Sequence, residues 1–172
     1  MKWLVASDIH GSAYYCKKLL EAIEKEQADK VLLLGDLLYH GPRNALPKDY
    51  DPPKVYDMLN SIKDKIVAVR GNCDCEVDQM VLEFPIMADY MVLNVGEKLI
   101  YATHGHVINK ENPLPFIKGA YLLYGHTHVP ANEKCDGFTY LNPGSVSIPK
   151  EGSGHSYMII SPEEIRFGEV EE

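Results

Sequence analysis

Apolar residues along the chain fall into short runs separated by turn-forming residues, and the spacing within each run predicts what it forms. Lys2 to Ser7 is a β-favouring run that stops at Asp8, and the stretch opened by Ser12 places Leu19, Leu20 and Ile23 on one helical face. Val31 to Leu34 is continuously apolar and ends at Gly35-Asp36, as a strand buried on both faces of a layered sheet does. A second helix runs from Pro53, whose ring suits a first turn, to about Lys63, and a strand from Ile66 to Val69 follows. Between them, Tyr39 to Pro53 is rich in Pro, Gly and Asn and reads as a surface loop of a length that is often functional.

Beyond Val69 the pattern turns toward β-structure. Tyr90 to Val95 and Leu99 to Ala102 flank Gly96 and predict a hairpin. Further strands are predicted at Ala120 to Tyr124, Phe138 to Leu141, Ser145 to Ile148, Ser156 to Ile160 and Glu164 to Gly168. A βαβαβ start followed mainly by strands predicts an α/β fold in which sheets pack on each other with helices outside. No internal repeat or linker divides the chain, and one domain over residues 1–172 is expected.

Composition narrows the function classes. The 25 acidic against 17 basic residues give a formal charge of -8, which disfavours a sequence-independent grip on nucleic acid through phosphate neutralisation, although a nucleic acid remains open as a substrate. No apolar run approaches the roughly 20 residues of a membrane span, and the N-terminal apolar stretch is cut short by Asp8. No signal peptide is read. Cys16, Cys73, Cys75 and Cys135 form no paired C-x-x-C knuckle, so reduced thiols in a cytoplasmic protein are expected, with a Cys73/Cys75 redox or metal pair as the alternative.

Five short motifs each place a metal-competent side chain just after a predicted strand: Asp8-Ile9-His10, Gly35-Asp36, Gly71-Asn72-Cys73-Asp74, His104-Gly105-His106 and Gly125-His126-Thr127-His128. Crevices beyond the carboxyl ends of strands are where α/β sheets assemble sites from distant residues. A single D-x-H or H-x-H triplet is commonplace. Five of the seven histidines gathered in such motifs are not, and the mixture of imidazole, carboxylate and amide oxygen suits divalent transition metals. A single structural zinc site would leave most of these ligands unexplained.

The series D-x-H, G-D, G-N-x-D, H-G-H and G-H-T-H, in this order, resembles the calcineurin-like metallophosphoesterase superfamily. The segments His40 to Pro47 and Asn142 to Lys150 make it similar to the small YfcE-type phosphodiesterase branch, and the resemblance extends to about residue 160. It implies a four-layer αββα sandwich, with two mixed β-sheets flanked by helices. It also implies two divalent metal ions, Mn2+ foremost with Fe2+, Ni2+ or Zn2+ as alternatives. One would be held by Asp8, His10, Asp36 and His128, the other by Asp36, Asn72, His104 and His126, with Asp36 bridging ions roughly 3.5–4 Å apart. The implied reaction is hydrolysis of a small phosphodiester by a hydroxide shared between the ions. Neutral Asn72 would keep the site positive enough to hold an anionic phosphate.

Many superfamily members carry histidine after the ligand asparagine, and its imidazole assists the departing oxygen. Here Cys73 holds that position, as it does in the small-phosphodiesterase branch, and a thiol is a poorer donor. His106 either substitutes for that acid or orients His104 by a hydrogen bond. Arg43 either grips phosphate with its guanidinium fork or packs within its own loop. Asp74 is expected to orient neighbouring groups, and His155 is expected to be an ordinary hydrogen-bonded residue. Two other functions remain open: a catalytically silent protein-interaction scaffold of the same fold, as in retromer, and a phosphomonoesterase or protein phosphatase. No stable nucleic-acid or membrane partner is expected. A homo-oligomer built through the Pro-rich loop and neighbouring tyrosines is left open.

Overall fold

The computed structural model describes residues 1–115 and 117–170; Phe116, Glu171 and Glu172, the last two within the expected 1–172 domain, lie outside them. Two five-stranded mixed sheets make up its frame, in the orders β10-β9-β1-β2-β3 and β4-β5-β6-β8-β7. The first contains β1 (Trp3–Ala6), β2 (Lys30–Leu33), β3 (Ile66–Ala68), β9 (Ser156–Ile160) and β10 (Ile165–Glu169). The second contains β4 (Tyr90–Val95), β5 (Lys98–Thr103), β6 (Tyr121–Leu123), β7 (Ala131–Lys134) and β8 (Thr139–Asn142). Strands β1, β2 and β3 run parallel, as do β5, β6 and β8, and antiparallel neighbours complete each sheet.

Alternation along the strands builds the layers. In β1, Leu4 and Ala6 face helices α1 (Ala13–Glu26) and α2 (Pro52–Ser61), where Leu19, Ile23, Val55 and Leu59 close the core. Val5 instead faces Leu32, Ile100, Leu123 and Met158 between the sheets. Each fully buried leucine of this kind is worth about 1.5–3 kcal/mol. A third apolar group, including Leu122, Phe138 and Tyr140, covers the outer face of the second sheet. Among the described residues this outer layer holds no helix; Ile108 and Ile117 of the chain between β5 and β6 pack there. No helix is long and apolar enough to cross a membrane.

The helix starts follow from their first residues. Ser12 caps α1 by accepting the Tyr15 N–H at 3.2 Å. Asp51 accepts the Lys54 N–H at 3.2 Å, and Pro52 and Pro53 occupy the opening turn of α2. The strand predicted at Ser145 to Ile148 is not formed: the segment is a buried loop whose hydroxyls bond the chain after β1. Helix α3 (Glu76–Val81) and strand β7 were not predicted. The first turns Val77 and Met80 outward at 67% and 82% exposure, and the second is a polar edge strand, so neither carries the periodicity of a buried face.

Candidate metal centre

The five motifs lie at the carboxyl ends of β1, β2 and β3 in one sheet and β5 and β6 in the other, so both sheets feed one crevice. The chain leaving β1 continues alongside that leaving β2, with the Asp8 N–H donating to Gly35 O at 3.1 Å and the His10 N–H to Asp36 O at 2.9 Å. Asp8, His10, Asp36, His126 and His128 all have positive φ, between 49° and 62°. This is the left-handed region, sparsely used by residues other than glycine and concentrated at functional sites. The kinks turn side chains that a regular strand would send to alternate faces into a single cavity. Gly71 is required for another reason: a Cβ there would lie 2.1 Å from Asp36 Oδ1, so only glycine lets β3 end this close to β2.

The hydrogen bonds on the outer sides of the imidazoles fix what faces inward. His10 Nδ1 donates to Tyr39 O at 2.8 Å, His104 Nδ1 to Leu34 O at 2.7 Å and His128 Nδ1 to Ile148 O at 2.6 Å. A carbonyl oxygen only accepts, so each Nδ1 carries the hydrogen and each Nε2 of a neutral ring presents a lone pair to the crevice. His10 Nε2 and His128 Nε2 then face each other at 3.3 Å. Both lie close to Asp8 Oδ1, at 3.4 and 3.2 Å, and that buried oxygen accepts no hydrogen bond. Around His104 Nε2 stand Asn72 Oδ1 at 3.0 Å, His126 Nδ1 at 3.2 Å and Asp36 Oδ2 at 3.4 Å. Asp36 Oδ2 is also 3.7 Å from His10 Nε2, which makes it the atom common to both groups.

With these imidazoles neutral and their Nε2 atoms unprotonated, the converging acceptors repel unless a proton or a metal cation lies among them. Ligands about 2.1 Å from a shared metal stand about 3.0–3.4 Å apart, the spacing seen in both groups. Asp8, His10 and His128, and Asp8, Asp36 and His104, are clusters that could hold a metal ion. The donor set therefore fits divalent metal. Burial opposes charge on His104, but its hydrogen bond to Asp36 and the charge of Asp8 prevail and raise its pKa to about 9. Burial would likewise raise Asp8, yet contacts with His10 and His128 hold its carboxyl well below the usual range.

A pH dependence follows. In metal-free protein, a His104 pKa raised above its unfolded value contributes stability that is complete below about pH 6.5 and lost as pH rises through about 9. A cation bound at His104 would take the place of that proton, and the metal-loaded protein would be spared the loss. Thermal unfolding of chelator-stripped protein should show Tm falling by a few degrees over this window, while the Mn2+-saturated protein holds level. Parallel curves for the two forms would contradict this.

The remaining expected site residues separate. Arg43 and Cys73 line the same cavity, of about 240 Å³, as His10, Asp36 and His128. Burial and the Asp36 charge push the Cys73 thiol up to about 12, so it stays protonated at neutral pH. Cys73 Sγ lies in a third cluster with His10 and Asp36, whereas all four cysteines are free and Cys75 sits apart at the start of α3. Asp74 lies beneath the cavity and accepts the N–H groups of Gly71, Asp36 and Leu37 at 2.7, 2.8 and 2.9 Å. His106 is exposed, with its ring 5.4 Å from that of His104, and is absent from the cavity lining. One of the two roles left open for it, a hydrogen bond that orients His104, is filled instead by the Leu34 carbonyl. His155 stacks on Tyr15 and bonds Val146 O, clear of the cavity.

Several supporting groups escaped the sequence analysis. Ser145 Oγ and Ser147 Oγ both donate to the Asp8 carbonyl, at 2.8 and 3.0 Å, and so hold the kink that aims Asp8. Lys150 lines the cavity, and its backbone N–H donates to His128 O at 3.3 Å. Serine hydroxyls and backbone carbonyls carry no pattern that marks them in advance. Lys150 lay at the end of a recognised segment without a chemical role.

A family model described as the calcineurin-like phosphoesterase superfamily domain matches residues 1–164. Phosphodiesterase YfcE of Escherichia coli strain K12 is 47% identical over 157 residues, covering 91% of this chain and 85% of that protein. The solved structure of YfcE, a phosphoesterase from E. coli, superposes with a TM-score of 0.90 at 42% identity, over 99% of this chain and 100% of that one. Vps29 from Entamoeba histolytica, solved as its Zn2+ complex, shares the fold at a TM-score of 0.59 and 22% identity, over 96% of this chain and 89% of that one. The chain belongs to the calcineurin-like phosphoesterase superfamily, a class of hydrolases.

Proposed function

We propose that the protein is a binuclear metal-dependent phosphodiesterase acting on small phosphodiesters in the cytoplasm. The observation that carries this reading is the set of inward-facing lone pairs in two groups joined at Asp36 Oδ2. Similarity to a protein named phosphodiesterase supports the choice of diesters. One ion is assigned to Asp8, His10, Asp36 and His128, the other to Asp36, Asn72, His104 and His126, with Mn2+ expected. Bound there by these side chains, divalent cations would supply Lewis acidity toward water and toward the phosphoryl oxygens.

The chain's own residues set what the site prefers. Arg43 presents a planar fork to phosphoryl oxygens at the cavity wall. Asn72 contributes an oxygen without a charge, which leaves the crevice attractive to an anion. Cys73, a thiol that carries no positive charge, is a poorer proton donor beside the reacting group than an imidazolium would be. Burial and the neighbouring His104 lower the His106 pKa, so that ring is neutral at pH 7, and it stands outside the cavity lining. Neither supplies strong proton donation to a departing alkoxide. Substrates with stable leaving groups, aryl or nucleotide-like, are accordingly favoured over alkyl esters.

Stripped protein reloaded with Mn2+ is expected to hydrolyse an aryl diester faster than the matching aryl monoester, and chelation should abolish both rates. Across diesters of graded leaving-group pKa, kcat/KM should fall steeply as that pKa rises. A flat dependence with chemistry rate-limiting would remove the leaving-group argument. Faster monoester hydrolysis would make the protein a phosphomonoesterase, and no hydrolysis at full metal occupancy would favour a scaffold.

A further inference from the structure

The wall of the cavity carries two permanent cations, Arg43 and Lys150, while among the described residues Asp36 is the only carboxylate that lines it. This local excess of positive charge stands in a chain of net charge -8. Neither cation is neutralised: among the described residues, neither side chain forms an ion pair or a hydrogen bond. A phosphodiester brings one negative charge. With divalent cations offsetting the carboxylates of Asp8 and Asp36, Arg43 would suffice to meet it, and Lys150 is left over.

Lys150 is not a loosely tethered surface residue. Its N–H donates to His128 O at 3.3 Å, and His128 returns the contact through Nδ1 to Ile148 O at 2.6 Å. Pro149, with its fixed φ, joins the two anchor points. On the other side, the Lys150 carbonyl accepts both the N–H and the hydroxyl of Ser153, at 3.0 and 2.7 Å. The root of the side chain is thus fixed to the imidazole at the cavity floor, while the head remains exposed and free to reach a ligand. A compact ammonium of this kind suits a single anionic oxygen and does not need the planar match that a guanidinium exploits.

We propose that Lys150 is a specificity-determining residue that receives a second negative charge on the substrate, so that the preferred phosphodiester carries an anionic group, carboxylate or phosphate, on its non-departing arm. The assignment rests on the phosphodiesterase reading above, in which Arg43 engages the phosphoryl group that reacts. Lys150 acts on the choice of substrate and takes no proton.

The test compares two p-nitrophenyl phosphodiesters whose second arm ends in a carboxylate or in the isosteric amide. For the Mn2+-loaded protein, the ratio of kcat/KM for the charged arm over the neutral arm is expected to be about tenfold, equivalent to about 1.4 kcal/mol. That ratio should collapse to near unity in Lys150→Met, persist in Lys150→Arg and shrink at high salt. A ratio near unity in the parent protein overturns the proposal, as does a ratio unchanged in Lys150→Met or lost only in Arg43→Met. Calorimetric binding of the matching pair of non-hydrolysable phosphonates separates this from the function reading. If no ester is hydrolysed, that reading fails, yet tighter binding of the carboxylate phosphonate that vanishes in Lys150→Met still upholds the role of Lys150. Equal binding of the two phosphonates overturns it.

Discussion

Asp36→Asn is expected to lower kcat/KM for an aryl diester by well over about 100-fold, beyond the range typical of losing an outer partner of a metal ligand. It should also strip both metal ions from the purified protein. Asp36 Oδ2 stands 3.4 Å from His104 Nε2 and 3.7 Å from His10 Nε2, and among the described residues no other carboxylate oxygen comes within 4.0 Å of imidazoles in both groups. Its Oδ1 accepts the Cys73 N–H at 2.8 Å. An asparagine keeps that bond with its amide oxygen and turns its NH2 toward the imidazoles, so the fold survives while the shared anion is gone. Asp8→Asn is the informative comparison. Asp8 Oδ1 faces His10 and His128, and its Oδ2 is already occupied by the His126 N–H at 3.0 Å. Losing Asp8 should empty one position and spare the other. Elemental analysis decides between these outcomes, and two ions retained in Asp36→Asn would remove the bridging role.

Asp74→Ala is expected to destabilise the protein by about 3–5 kcal/mol, because three buried N–H donors lose their acceptor at once and each orphan costs roughly 1–3 kcal/mol before water relieves it. The donors belong to Gly71, Asp36 and Leu37, and Asp74 itself is 2% exposed. Burial raises the Asp74 pKa while these three donors oppose the rise. Chemical unfolding measures the loss, and a change below about 1 kcal/mol would mean that water fills the gap without cost. Activity should fall as well, by about 10–100-fold, since Asp74 holds the backbone from which Asp36 projects. Asp74→Asn is intermediate: its oxygen can serve Asp36 and Gly71, but its NH2 then opposes the Leu37 N–H.

What could be read from the sequence was what repeats or clusters. The parallel strands β1 and β2 announce themselves as apolar runs because both faces are covered, by α1 and α2 on one side and the second sheet on the other. The eight residues Asp8, His10, Asp36, Asn72, Cys73, His104, His126 and His128 were legible as a group because their side chains are chemically unusual at strand ends. Their convergence required the order of strands within two sheets, which periodicity does not encode. Ser145 and Ser147 were misread as part of a strand, since small residues around Val146 fit alternation equally well. Only their bonds to Asp8 O explain why that segment leaves the ladder. His106, a motif neighbour of His104 with the right chemistry, follows a glycine whose φ is +112° and is exposed outside the cavity lining, a placement that adjacency in sequence does not encode.

The positive φ values at Asp8, His10, Asp36, His126 and His128 have a bearing on how this site is best dissected. Asparagine and aspartate visit left-handed backbone more readily than other side chains, whereas alanine resists it by roughly 1–2 kcal/mol per residue. An alanine scan would therefore confuse two injuries, the missing ligand and a main chain relaxing away from its bend. Asparagine at these positions preserves the bend and isolates the chemistry. The same reasoning applies to transplantation: a scaffold that copies the side chains onto regular strands would carry every ligand and assemble no centre, because the crevice is drawn by the main chain before any side chain enters it.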